Sequence, residues 1–321
     1  MQMMRRIPSR AVPGDLVAGT DFTPGDPEPQ RPLPVALLVA MRPRQWVKNL
    51  LVYAVPLAAG QLTHRDVFVD TTVAFVCFCL VASATYLLND VLDIESDQAH
   101  PRKRFRPIAA GEVSPRLALV TAAFLVILGV TGAALSTYPG FLVTLLVYLT
   151  STVAYSWKLK DEPVIELAVL AAGFVLRAIA GGTATGIPMS PWFLTVAAFG
   201  SLFMAAGKRY SEFMQLGAER ATRPALARYT ASYLRFVWSL SAGIMLTAYC
   251  LWAFQVGLRD RGTVPFAAWS VVPFILAVLR VALDIDRGDA GAPEDVALGD
   301  RVLQVTAVVW VVMFALGAAG I

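Results

Sequence analysis

Charge is what this sequence has least of. Asp, Glu, Lys and Arg make up 16% of its 321 residues against 57% hydrophobic residues, and mean hydropathy is positive. That balance excludes an ordinary soluble domain of this size. Alternation of polar and apolar residues is also lacking, which excludes a membrane β-barrel and leaves helices as the way to cross lipid. Cysteine is scarce: Cys77, Cys79 and Cys250 lie within apolar runs, without zinc-type spacing or a disulfide role, and read as small core residues. Histidine is scarcer still, His64 and His100 alone. No nucleic-acid partner is expected. No apolar run follows Arg5 and Arg6, so the N-terminus does not read as a signal peptide. Residues 1–38, punctuated by Pro8, Pro13, Pro24, Pro27, Pro29, Pro32 and Pro34, read as a disordered cytoplasmic tail ahead of a membrane domain over 39–321.

What is present is a series of apolar runs near bilayer length. They predict an all-α, polytopic membrane protein with about nine spans, at about 46–62, 67–88, 116–137, 139–157, 163–184, 191–206, 233–257, 263–283 and 301–320. Breakers support the cuts: Pro139-Gly140, Pro163, and Gly186 with Pro188. With the N-terminus in the cytoplasm, all but four of the 27 Lys and Arg residues fall on the cytoplasmic side. The exceptions are Arg65, Arg259 and Arg261 outside, and Arg177 within a span. This positive-inside pattern predicts a cell-membrane protein with its charged loops in the cytoplasm and its C-terminus outside.

The most informative segment runs from Asn89 to Asp97 at the end of the second span. On a continuous helix Asp90, Asp93 and Asp97 fall within about 60° of each other, Asn89 lies beside them and Glu95 faces away. Three carboxylates on one stripe repel unless a cation sits among them, and oxygen ligands of this kind suit Mg²⁺. Asp90, Asp93 and Asp97 are therefore the candidate metal ligands. A basic run follows, Arg102-Lys103-Arg104-Phe105-Arg106. Metal on one side and guanidinium or ammonium groups on the other is a phosphate-binding arrangement.

Three further segments belong to the same cap. Gln45, Lys48 and Asn49 open the first span one helical turn apart and can face one cavity. Tyr155 and Lys158 close the fourth span, with Lys158 the better phosphate ligand and Lys160 facing headgroups. Lys208 and Arg209 follow the sixth. Arg177 lies mid-span, where a charge is expensive and normally turns toward a cavity or a partner. Glu166 is on its face of the helix but about three turns away, a neighbour and not a direct partner.

The run Asn89-Asp90-x-x-Asp93-x-x-x-Asp97, followed by Arg106-Pro107-Ile108-Ala109-Ala110-Gly111, resembles the first signature of the UbiA-type prenyltransferase superfamily. The resemblance implies a helical bundle around a central cavity, open to lipid at the side and capped on the cytoplasmic face. Typical aromatic prenyltransferases of that superfamily carry a second Asp-rich motif between spans six and seven. Here that loop has no Asp, only Lys208, Arg209, Glu212, Glu219, Arg220, Arg223 and Arg228. The runs Arg42 to Asn49, Leu176 to Gly182, Gly207 to Tyr210, Pro293 to Val296 and Asp300 to Gln304 resemble the actinobacterial decaprenyl-phosphate phosphoribosyltransferase branch.

That branch implies Mg²⁺-dependent transfer of 5-phosphoribose from phosphoribosyl diphosphate to decaprenyl phosphate, toward cell-wall arabinan. Asp90, Asp93, Lys48 and Arg104 would then be the catalytic set. Gln45, Lys48, Asn49, Tyr86, Asn89, Lys103, Arg104, Arg106, Tyr155, Lys158, Arg177, Lys208 and Arg209 would bind substrate, with Tyr86 and Asn89 orienting the sugar. The acceptor is already an anion, so no strong general base is needed. An aromatic prenyltransferase using a polyprenyl diphosphate is the alternative within the superfamily, and a transporter using Arg177 the alternative outside it. A homo-oligomer is left open.

Overall fold

The computed structural model describes residues 31–100, 103–216, 224–257, 265–290 and 299–319, and every regular element among them is helical. In chain order these are α1 (Leu33–Ala40), a 3-10 segment (Pro43–Tyr53), α2 (Ala54–Ala58), α3 (Arg65–Leu92), α4 (Ile94–Ala99), α5 (Pro115–Ala134) and α6 (Pro139–Trp157). There follow α7 (Ile165–Thr185), α8 (Pro191–Leu216), α9 (Pro224–Ala227), α10 (Ala231–Gly257), α11 (Phe266–Trp269), α12 (Val271–Arg287) and α13 (Arg301–Ala319).

Seven helical stretches among the described residues are long and apolar enough to cross a membrane. The expected sixth span is the first part of α8, whose far end carries Lys208, Arg209 and Glu212 and leaves too short an apolar stretch to qualify alone. The expected first span is broken into the 3-10 segment and α2. Its polar residues explain the break: Gln45 bonds Lys48 along the 3-10 rise, while Asn49 turns inward to Cys79. The segment packs tightly on α7, where a Cβ on Gly181 would collide with the Val52 carbonyl. Among the described residues, the first and the sixth of the nine expected spans are thus the two that do not meet that length and hydropathy.

The tail boundary at residue 38 falls inside α1. Ala36 and Ala40 are buried against Ala84, Ala118 and Ala122, small residues that let α1, α3 and α5 approach closely. The rest of that tail, residues 1–30, lies outside the described residues, as do Arg102, Glu219, Arg220, Arg223, Arg259, Arg261 and Pro293 to Val296. Helix α3 packs against α5, α6, α7 and the 3-10 segment, and α8 against α7 and α10. Side chains turned outward are apolar, including Val120, Phe124 and Ile127 on α5 and Val305, Val308 and Val312 on α13. A bundle apolar on its outer face is built for lipid. Polar groups gather at the end of the bundle where α3 stops, α6 stops and α7 begins.

Candidate active site

The site is built on a break in the carboxylate helix. Helix α3 ends at Leu92, and Asp93 stands between it and α4 with φ −100° and ψ 12°. Its amide donates back to the Asn89 carbonyl at 2.9 Å, and its own carbonyl accepts from the Asp97 amide at 2.8 Å. This kink divides the expected three-carboxylate stripe. Asp90 and Asp97 turn inward, 2% and 1% exposed. Arg106 bridges them through Nη1, 3.2 Å from Asp90 Oδ1 and 2.6 Å from Asp97 Oδ2. Arg42 Nη2 pairs with the same Asp90 Oδ1, and its guanidinium lies 4.9 Å from the centre of the Tyr86 ring. The left-handed backbone of Arg42, φ 54°, is strained for a residue with a Cβ and is held by these contacts. Asp93 alone of the three faces open space, its Oδ1 2.7 Å from Lys160 Nζ and its Oδ2 accepting from Asn89 Nδ2 at 3.0 Å.

Two chambers meet at Asn89 and Tyr155, which line both. The outer one, about 270 Å³, mixes signs: Asp93, Asp161 and Glu166 with Lys103, Lys160 and Arg209. The inner one, also about 270 Å³, lies between α3, α6, α7 and the 3-10 segment. Its charged wall is Arg42, Lys48 and Arg177, and its other polar groups are hydroxyls and the Asn89 amide. No carboxylate is among the described residues lining it. A third cavity, about 340 Å³, is almost wholly apolar, with Tyr249, Trp192, Trp252, Trp310 and Phe314 in its wall.

The expected site residues distribute unevenly over this geometry. Lys48, Tyr86, Asn89 and Arg177 line the inner chamber, and Asn89, Asp93, Lys103 and Arg209 the outer one, with Tyr155 common to both. Asn49 is fully buried and lines neither; its Oδ1 accepts from Arg177 Nε at 2.7 Å. Gln45 contacts Lys48. Arg106 is committed to Asp90 and Asp97. Arg209 is committed as well: Glu166 accepts its Nε at 2.8 and 2.9 Å and Glu212 accepts Nη1 at 2.6 Å, while its Nη2 donates to Tyr155 at 3.1 Å. Lys208 is absent from both linings. Glu166 pairs with Arg209 and not with Arg177.

Two lysines are placed differently from what their positions in the sequence suggest. Lys158 caps the end of α6 and is exposed, whereas Lys160, carried inward by the 3-10 turn Leu159–Asp161, holds Asp93. Arg104, expected in the catalytic set, is exposed and packs over Phe105. The loop that presents Lys160 is pinned beyond it by Val164, a β-branched residue at φ 68° whose amide donates to the Tyr229 hydroxyl at 2.5 Å. Burial pushes the Tyr229 phenol up to about 12, so it stays protonated as a neutral anchor. At the other end of the resemblance, Asp300 caps α13 by accepting from the Val302 amide at 2.8 Å and pairs with Arg280, which holds its carboxyl below the usual carboxylate range.

Magnesium fits this donor set only as a partner of a bound phosphate. No three acidic, His or Cys side chains converge on a metal position among the described residues. Asp93 with Asn89 offers hard oxygen to the outer chamber, and Mg²⁺ is commonly held by one or two carboxylates plus substrate phosphates and water. Asp97 Oδ1 is buried without a hydrogen bond, with Lys103 Nζ 3.9 Å away. The carboxylate group is thus rich enough in oxygen for a cation at Asp93, while Asp90 and Asp97 are salt-bridged in the protein's own framework.

The fold and the cavity define an integral membrane protein with a polar site inside one end of its helical bundle. The chain belongs to the UbiA prenyltransferase family, whose model matches residues 50–298. It is 48% identical over 291 residues to the decaprenyl-phosphate phosphoribosyltransferase of Mycobacterium tuberculosis, covering 88% of this chain and 94% of that one. The Corynebacterium glutamicum protein of the same name is 46% identical over 290 residues, covering 88% and 87%. The fold is that of a UbiA homolog from Archaeoglobus fulgidus solved with GPP and Mg²⁺, at TM-score 0.66 and 18% identity over 89% of this chain and 100% of that one.

Proposed function

We propose that this protein transfers 5-phosphoribose from 5-phosphoribosyl 1-diphosphate to a polyprenyl phosphate, releasing diphosphate, as a step in cell-wall arabinan precursor synthesis. The observation that carries this reading is near-half identity, over almost the full length of both chains, to proteins named for that reaction on decaprenyl phosphate. The cavity supports it chemically. In the transfer the bond from ribose C1 to the diphosphate oxygen breaks, and an oxygen of the lipid phosphate bonds to C1. The acceptor arrives as an anion, so no proton has to be removed. The demands left are placement and charge, which fixed cations and hydroxyls meet without reorganising.

Lys160 and Lys103 face the outer chamber and suit the leaving diphosphate. Asn89, Tyr86, Tyr155 and Thr152 put amide and hydroxyl groups around the space where the sugar would lie. When bound, Mg²⁺ would supply charge neutralisation to the leaving diphosphate, with Asp93 and Asn89 the side chains that would hold it. The positive-inside pattern orients this end of the bundle toward the cytoplasm, where a water-soluble donor is met.

Purified protein in detergent, given radiolabelled phosphoribosyl diphosphate and decaprenyl phosphate, tests the reading. The expected product is a labelled lipid whose formation stops in EDTA. No labelled lipid from folded protein supplied with Mg²⁺ would refute it. For orientation, cysteines placed at Ser114 and Thr137, the two ends of α5, should be labelled from opposite sides of the membrane, Ser114 from the cytoplasm.

A further inference from the structure

Arg177 is the one charged side chain of the inner chamber that is more than nine-tenths buried, and its immediate partners are all neutral. Nε donates to Asn49 Oδ1 at 2.7 Å, Nη1 to the Gly173 carbonyl at 2.6 Å and Nη2 to the Tyr148 hydroxyl at 2.8 Å. The guanidinium is 6% exposed and lies 4.7 Å from the centre of the Tyr148 ring. No ion pair forms at it among the described residues. A guanidinium carries five N–H donors, so three bonds leave two for a ligand. A buried cation without a counter-ion, roughly 18 Å along α7 from its charged end, is costly unless an anion comes to it.

We infer that the inner chamber is the acceptor's phosphate site and that Arg177 holds the lipid phosphate. This inference rests on the proposed transfer reaction. Two phosphates of that reaction share the required chemistry, the lipid phosphate and the 5-phosphate of the donor, and position favours the lipid. The donor is water-soluble and enters from the end with mixed charges. The inner chamber lies deeper, and Ala178, the next residue after Arg177, is part of the wall of the apolar cavity. A phosphate carrying a long apolar chain is the ligand suited to a cation beside such a cavity. The division also sets the reacting groups on either side of the sugar. Leaving diphosphate lies in the outer chamber, attacking phosphate in the inner one, and ribose at their junction by Asn89 and Tyr155. Asn49 and Tyr148 act as positioning residues that aim the guanidinium.

Equilibrium binding to the full chain in nanodiscs tests this, with decaprenyl phosphate and uncharged decaprenol as probes in EDTA, and labelled phosphoribosyl diphosphate with Mg²⁺ as a separate arm. The unmodified protein should prefer decaprenyl phosphate to decaprenol without metal. Arg177→Gln should lower that preference about tenfold or more, with decaprenol and phosphoribosyl diphosphate binding changed less than about threefold, and Arg177→Lys should recover part of it. Should Arg177→Gln fail to fold, Lys48→Ala on the same wall should show the same selective loss. Weakened donor binding with the phosphate preference intact, in whichever variant folds, overturns the assignment and gives the deep cation to the ribose 5-phosphate. An unmodified protein that binds lipid phosphate selectively through Arg177 but no phosphoribosyl diphosphate would refute the transfer reaction and leave this site standing.

Discussion

The outer and inner chambers share two residues and differ in how they handle charge. In the outer chamber every cation faces a carboxylate: Lys160 meets Asp93, Lys103 lies 3.9 Å from Asp97, and Arg209 meets Glu166 and Glu212. In the inner chamber Arg177 is held by an amide, a hydroxyl and a backbone carbonyl. The first arrangement suits a site that takes up a polyanion and its metal together and can be neutral in between. The second suits a site that keeps a fixed, buried positive charge for a single anion. A third arrangement, Arg42–Asp90–Arg106–Asp97, borders the inner chamber through Arg42, and in it charges serve one another and shape the cap.

The largest effect should come from that framework. Asp90→Asn or Asp97→Asn leaves an arginine facing a neutral amide in a buried pair, which should cost about 3–5 kcal/mol of stability and lower the thermal midpoint in detergent. Next is Asp93→Asn, which should cut turnover about 100- to 1000-fold with the melting temperature nearly unchanged, because Asp93 faces the chamber. Equal melting losses at Asp93 and Asp90 would erase the distinction between framework and chamber.

The sequence made the carboxylates and their basic neighbours visible, because acids at the end of an apolar run have few other uses. It did not show which of them face the chamber. The stripe argument assumed an unbroken helix from residue 89 to 97, and Asp93 stands at the junction where α3 ends and α4 begins. Asp is a residue type that favours such ends, a signal that was present but weak. Lys160 was set aside in favour of Lys158 because the rotation introduced by the 3-10 turn over Leu159–Asp161 has no sequence pattern of its own. Arg42 was visible only as part of a run; its role follows from the left-handed turn that swings it to Asp90. Arg177 was legible, since a lone arginine in a span has few places to go, but its partners on the 3-10 segment and α6 were not.

Two smaller effects sharpen the contrast. Lys160→Ala should reduce kcat/KM for phosphoribosyl diphosphate about 10- to 100-fold, the loss of one charge-assisted contact, and leave KM for the lipid unchanged. Lys158→Ala and Arg104→Ala should each change rates by less than about threefold, because both side chains are exposed. A loss at Lys158 matching that at Lys160 would mean that the loop presents a different lysine in the working enzyme.

Donor choice by the unmodified protein tests the central claim most directly. In one reaction mixture it is offered phosphoribosyl diphosphate and decaprenyl phosphate together with a polyprenyl diphosphate and an aromatic acid, with Mg²⁺, and the lipid products are separated and weighed by mass spectrometry. The account predicts a polyprenyl phosphate enlarged by one phosphoribosyl group and no prenylated ring. A prenylated aromatic acid, with phosphoribosyl diphosphate left unconsumed, would contradict it.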